Sequence, residues 1–199
     1  KYFFYENIPR GTYYITAVVD CENGGIHDEA TNTSVMGFEE GENILLQDDF
    51  ERYEPGTFPF SGGWKAYFNA IDDPSHNIVT QSTSYSGNKS LQIYGSHWGC
   101  WAALVTHDLP KRDVIYIEAS IKASGEAGEG CHKNDIGLGF GWEIFSLGHY
   151  WKPLITFKSD KKIHGVEGIL QNFTPNRWYR IKIRLDLTKG EVTYWIDGK

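Results

Sequence analysis

The sequence predicts an all-β protein built as a sandwich, and three observations carry that expectation. Aromatic residues make up 15% of 199 residues and are scattered among 22 glycines. Runs rich in β-branched and aromatic side chains recur at short intervals, each bounded by Gly, Pro or Asn turns. No window holds a helical period over three turns, whereas Ile115–Lys122 and Tyr179–Leu185 alternate apolar and polar residues, as half-buried strands do. At 40% hydrophobic, the chain can close one good core, and its length allows one or two domains.

Residues 2–6 and 12–19 read as strands, the second from the run Thr12-Tyr13-Tyr14-Ile15-Thr16-Ala17-Val18-Val19. Pro9-Arg10-Gly11 separates them, and Asn23-Gly24-Gly25 marks the next turn. Residues 36–42, with Gly37, Gly41 and three glutamates, read as an acidic linker, after which Asn43-Ile44-Leu45-Leu46 opens the main domain. Candidate strands follow at Lys65–Asn69, Asn77–Gln81, Ser90–Tyr94, Cys100–His107, Val114–Lys122, Asp135–Ile144, Pro153–Lys158, Trp178–Leu187 and Val192–Ile196. The chain begins abruptly at Lys1-Tyr2-Phe3-Phe4 and stops in a strand-turn signal at Asp197-Gly198-Lys199, so a piece of a longer polypeptide is expected. Its last strand, Val192–Ile196, is expected to leave an open sheet edge that neighbouring chains in an assembly could fill.

Two stretches carry a family resemblance. Asp48-Asp49-Phe50-Glu51, closing on Gly62-Gly63-Trp64, and Ser86-Gly87-Asn88-Lys89-Ser90-Leu91 resemble the opening of concanavalin A-like sandwich domains, the laminin-G-like and carbohydrate-binding modules. The late pair Trp178-Tyr179-Arg180-Ile181-Lys182 and Val192-Thr193-Tyr194-Trp195-Ile196-Asp197-Gly198-Lys199 is similar to a hairpin of the laminin-G-like domains. The resemblance implies a jelly-roll sandwich over 43–199, truncated at its C-terminal end. Upstream, Gly11 to Asn32 resembles the end of a CARDB-type Ig-like adhesion module, with Asp20, Ile26, Asp28 and Glu29 matching and Asn32 remaining of an Asn pair. Residues 1–35 are then the C-terminal part of such a module.

Charge and cysteine usage narrow the partners. The net charge is −7, of which −6 falls in residues 1–42 with two basic against eight acidic side chains. An acidic chain without a basic stripe is a poor nucleic-acid ligand, and no apolar run is long enough for a membrane helix. Cys21, Cys100 and Cys131 are too few and too far apart for a zinc site; Cys100 and Cys131 could form a disulfide, leaving Cys21 unpaired. N-glycosylation sequons occur at Asn32, Asn88 and Asn172, and together these features point to a secreted or cell-surface setting.

Catalytic chemistry finds little support. A retaining glycosidase needs two carboxyls about 5–5.5 Å apart, hence two or four residues apart on one strand face. Glu143 sits in Trp142-Glu143-Ile144-Phe145-Ser146-Leu147, where Phe145 and Leu147 occupy its partners' positions. No G-x-S-x-G occurs, and the seven histidines show no metal-ligand spacing. Hard oxygen donors are better placed for a structural Ca²⁺: Asp49 and Glu51 at a strand start, with the Ser86–Ser90 turn around Lys89. The resemblance implies such a site, since related carbohydrate-binding sandwiches share a structural calcium between an acidic first strand and such a turn. The alternative is capping and surface pairing with Lys89 or Arg52.

Aromatic side chains beside Gly-flanked loops, Trp98, Trp101, Tyr150 and Trp151 with His149 nearby, suit stacking on sugar faces. Trp64, Trp142, Trp178 and Trp195 read as core. The functional expectation is a non-catalytic recognition module that binds glycan or a surface polymer. The alternative is a structural subunit or spacer of a surface layer, stalk or filament, and a glycoside hydrolase is the remote third.

Overall fold

The computed structural model describes residues 2–3, 13–20, 30–31, 36–38, 44–68, 77–93, 103–110, 112–125, 135–141 and 151–199. The protein is all-β, as its sequence predicts, and no α-helix occurs among the described residues. In chain order the strands are β1 (Tyr2–Phe3), β2 (Tyr13–Asp20), β3 (Ala30–Thr31), β4 (Met36–Phe38) and β5 (Ile44–Leu46). A 3-10 turn at Phe60–Gly62 precedes β6 (Trp64–Phe68), β7 (Ile78–Thr80), β8 (Ser90–Gln92), β9 (Ala103–Leu109) and β10 (Val114–Lys122). Then come β11 (Asp135–Gly141), β12 (Trp151–Phe157), β13 (Lys162–Gly165), β14 (Gly168–Asn172), β15 (Trp178–Asp186) and β16 (Glu191–Ile196). They form a six-stranded sheet, β1-β16-β15-β10-β4-β5, a seven-stranded sheet, β14-β13-β12-β11-β2-β9-β6, and a small third sheet, β3-β8-β7. Every pairing among the described residues is antiparallel.

The core follows from side-chain alternation. β10 and β15 pair in unbroken register from Val114↔Asp186 to Lys122↔Trp178. Ile115, Ile117, Ala119 and Ile121 on one, and Tyr179, Ile181, Ile183 and Leu185 on the other, turn to the same buried side. Opposite them the seven-stranded sheet contributes Val105, Ile136, Leu138, Ile155, Phe157 and Ile163. Rings bridge the layers, with Phe157 5.7 Å from Tyr179 and 5.2 Å from Phe173. The Tyr194 hydroxyl crosses between them, donating to the Leu154 carbonyl at 2.7 Å and accepting from the Val166 N–H at 3.0 Å. Each fully buried aliphatic side chain contributes about 1.5–3 kcal/mol, so this layer dominates stability.

Nine of the strands expected after residue 64 occur within a few residues of their expected bounds, and Val114–Lys122 coincides. The β13–β14 hairpin was not expected. Its second strand is exposed on almost every residue, so it has no alternation for a sequence pattern to register. Residues 13–20 and 36–38, which the sequence reading sets apart as an Ig-like piece and a linker, are strands of the two sheets. β2 lies between β9 and β11, and β4 between β5 and β10. A nearly continuous run of apolar and β-branched residues such as 13–19 suits an interior strand with neighbours on both sides. The edge of β16 expected to be open meets β1 at Tyr2↔Val192 and Phe3↔Glu191.

Asp186, at the end of β15, makes the hairpin beyond it pH-sensitive. It is 1% exposed and accepts from Thr188 Oγ1 at 2.7 Å, Arg184 Nη2 at 2.9 Å and the Lys189 N–H at 3.1 Å. Burial pushes its carboxyl up, but these donors outweigh burial and hold it down at about 2, against an ordinary 3.8. A depressed folded-state value stabilises above the unfolded value and is lost as pH falls through the folded one. Asp186→Asn should therefore cost on the order of 2 kcal/mol at neutral pH, and its deficit against wild type should shrink between about pH 4 and pH 2. Urea unfolding of both proteins across that range measures this; a deficit independent of pH would contradict it.

Candidate functional site

The acidic opening folds into a knot around one buried carboxylate. Asp48 is 3% exposed, and its Oδ1 accepts the Phe50 N–H at 3.0 Å. Its Oδ2 accepts Trp64 Nε1–H at 2.8 Å, Arg52 Nη2 at 3.3 Å and the Tyr53 hydroxyl. Arg52 also donates to the Tyr53 oxygen at 2.5 Å. Burial, then the bond to Asp48, push the Tyr53 phenol up to about 12, so it remains a donor. Gly62 is required beside it, because a Cβ there would lie 1.7 Å from the Tyr53 oxygen. With both carboxylate oxygens engaged, the knot fastens the loop to Trp64.

Asp49, Glu51 and Lys89, the calcium candidates, come close together but in a different chemical sense. Asp49 Oδ1 accepts the Glu51 N–H at 3.1 Å, a local cap. Glu51 Oε1 accepts the N–H groups of Asn88 and Lys89 at 2.6 and 2.8 Å, and these two bonds hold its carboxyl below the usual range. Lys89 Nζ donates in turn to the carbonyls of Glu51 and Tyr53 at 2.9 and 2.8 Å. The turn thus presents N–H groups to Glu51 rather than carbonyls to a cation, and an ammonium binds the nearest carbonyl pair. Gly87 makes this possible, with φ +66° and an imagined Cβ only 2.4 Å from Glu51 Oε1. This arrangement is the capping and surface pairing that the sequence offers as the alternative to a cation. Among the described residues no three His, Cys, Asp or Glu side chains gather as a metal group.

Of the sugar-stacking candidates, Trp98, Trp101, His149 and Tyr150 lie outside the described residues, as do Cys21, Cys100, Cys131, Asn32, Trp142 and Glu143. Trp151 begins β12, paired with Gly141. Asn88 and Asn172 are exposed, the first in the turn before β8 and the second at the end of β14. A depression of about 140 Å³ is lined by Val166, Glu167, Gly168, Ile169, Leu170 and Tyr194. Its tyrosine hydroxyl is already spent between two backbone groups, and one carboxylate is its only charge.

A different surface combines rings and charges. On β15 the residues between the buried ones are Trp178, Arg180, Lys182 and Arg184, and on the flanking strands Tyr116, Glu118 and Lys122 of β10 and Trp195 of β16 fall in register with them. Trp178 and Trp195, expected in the core, are half-buried on this outer face, whereas Trp64 is buried as expected. Glu118 anchors the centre, its Oε2 accepting from Arg180 and its Oε1 from Lys182, both at 2.9 Å. Burial raises the Glu118 carboxyl, but these two cations outweigh it and keep it ionised. Lys182 Nζ lies between two rings, 5.4 Å from that of Tyr116 and 5.9 Å from that of Trp195. Arg184 donates through Nε to the Tyr116 hydroxyl at 3.2 Å. Lys122 sits 5.6 Å over Trp178, and Tyr85, 49% exposed, meets Trp178 edge-on at 6.2 Å.

Chemically, this face offers fixed rings and hydrogen-bond donors, with a carboxylate that accepts but has no proton to deliver. Contacts between cation and ring keep the side chains in place, so little ordering remains for a ligand to impose. The signal was present in the sequence: in Trp178-Tyr179-Arg180-Ile181-Lys182-Ile183-Arg184 the tryptophan shares its parity with three cations. No family model, curated protein or solved structure matches the chain.

The Asp48 knot yields a stability test. Asp48→Ala leaves the Trp64 and Phe50 N–H groups without their buried acceptor and should cost on the order of 3 kcal/mol in urea unfolding. Glu51→Gln, which keeps the shape but weakens the clasp, should lower the melting temperature by less. Equal losses for the two would mean that Asp48 is not the organising group.

Proposed function

We propose that this chain is a non-catalytic recognition module, of concanavalin A-like type, that binds a glycan across the outer face of the six-stranded sheet. The observation that carries this reading is the row Trp195–Lys182–Glu118, flanked by Tyr116 and Arg180, on one pre-ordered surface. Flat rings stack on the apolar faces of sugars, while guanidinium and carboxylate groups fix hydroxyls at the ring edges. The sequon asparagines Asn88 and Asn172 are exposed, which is consistent with a secreted or cell-surface setting. Turnover of glycan is not part of this reading, because the single carboxylate at the centre of the face stays ionised and the sequence places Phe145 and Leu147 where acidic partners of Glu143 would stand. Calcium is not needed for it: Glu51 accepts the backbone N–H groups of Asn88 and Lys89, and the Lys89 ammonium binds the carbonyls of Glu51 and Tyr53. A structural spacer in a surface layer or filament is the second reading, favoured by the uncharged outer strand β14.

Binding to a panel of immobilised polysaccharides tests the proposal. A glycan that binds wild type should lose about tenfold or more in affinity on Trp195→Ala and on Arg180→Ala, a loss of about 1.4 kcal/mol or more, with circular dichroism confirming that both variants remain folded. Binding that survives both substitutions, or its absence across neutral and acidic polysaccharides, would refute the assignment.

A further inference from the structure

We propose that β14 is an assembly edge, onto which a second copy of this chain adds its own β14 in antiparallel pairing. β14 ends the seven-stranded sheet, and among the described residues no strand pairs with its outer side. The Phe173 N–H donates to the Lys161 carbonyl at 2.9 Å. By the alternation of an antiparallel ladder, the N–H and C=O of Asn172 therefore point away from β13. Soluble proteins guard such edges with lysines, prolines or bulges. Gly168-Ile169-Leu170-Gln171-Asn172 has neither a charge nor a proline, and Ile169 is 55% exposed on it. β14 does carry one bulge, at Leu170, which the pairing skips between Ile163↔Gln171 and His164↔Ile169, but it places no charge on the open side and leaves Gln171 and Asn172 in regular register.

Charge selects a second copy as the occupant. One end of the β13–β14 hairpin carries Lys158, Lys161 and Lys162 against Asp160, and the other carries Glu167 at its turn. A two-fold axis beside β14 sets the Glu167 end of each copy against the lysine end of the other. Parallel pairing would instead bring like ends together. The geometry is self-complementary, and it joins two seven-stranded sheets into one continuous sheet.

Sedimentation velocity across the micromolar range provides the test, with circular dichroism and melting curves to confirm folding. Wild type should pass from monomer to dimer as concentration rises. Ile169→Lys, at an exposed position, should weaken dimerisation about tenfold or more without changing the melting curve, and Gln171→Lys serves as a second edge variant. Glu167→Lys should weaken it as well, and combining it with Lys161→Glu and Lys162→Glu should restore it. Four outcomes would overturn the proposal: a monomer at every concentration, a dimer indifferent to both edge variants, failure of the charge exchange to restore pairing, or a monomer whose edge captures an extended peptide instead.

Discussion

A carboxylate withdrawn from water must be met by donors, and much of this protein's arrangement follows from how Asp48 is met. Its partners come from its own loop and from Trp64, the first residue of β6. Trp64 packs 5.5 Å from the Phe50 ring and edge-on to His107 of β9 at 5.3 Å, so the carboxylate fastens the loop onto the seven-stranded sheet. The same loop begins at β5 in the six-stranded sheet, and its Glu51 and Tyr53 carbonyls hold Lys89, just before β8 in the third. One buried ion therefore coordinates three sheets that share no continuous hydrogen-bond ladder. Removing one partner of such a set is costly, because the remaining polar groups stay buried without their counterpart.

The outer face of the six-stranded sheet rests on the same principle at lower burial. Glu118 is nearly covered, and its two cations project outward on either side of it. The chain as a whole is acidic, yet Lys122, Arg180, Lys182 and Arg184 share this one face with two tryptophans and a tyrosine. Along the sequence, most of the acidic excess belongs to residues 1–42. A ligand approaching the face meets a local field opposite in sign to that of the molecule as a whole.

Legibility in the sequence tracked the physics of each feature. β10 and β15 were readable because one side is apolar and the other wet, and a period of two survives any loop. β14 left no such trace, being exposed on nearly all of its residues. Residues 13–20 were readable as a strand but not as a member of this sandwich, since the identity of a strand's neighbours is not written in its own alternation. Trp178 and Trp195 were read as core on residue type, although parity with Arg180 and Lys182 pointed outward. The Glu51–Lys89 contact was half legible: the carboxylate and the turn were visible. Whether the turn offers N–H or C=O depends on backbone angles such as the positive φ of Gly87.

The clasp at Glu51 also closes a sequon within the folded turn. Asn88-Lys89-Ser90 is a sequon, and an oligosaccharide transferase must reach the asparagine amide and the hydroxyl two residues later together. In the folded chain Ser90 is 0% exposed and its hydroxyl donates to the Thr83 carbonyl at 2.7 Å, while the Asn88 N–H is bound to Glu51. Were this sequon used, the sugar would have to be attached while the turn is still open, whereas at Asn172 the following Thr174 stays on the surface of the folded chain.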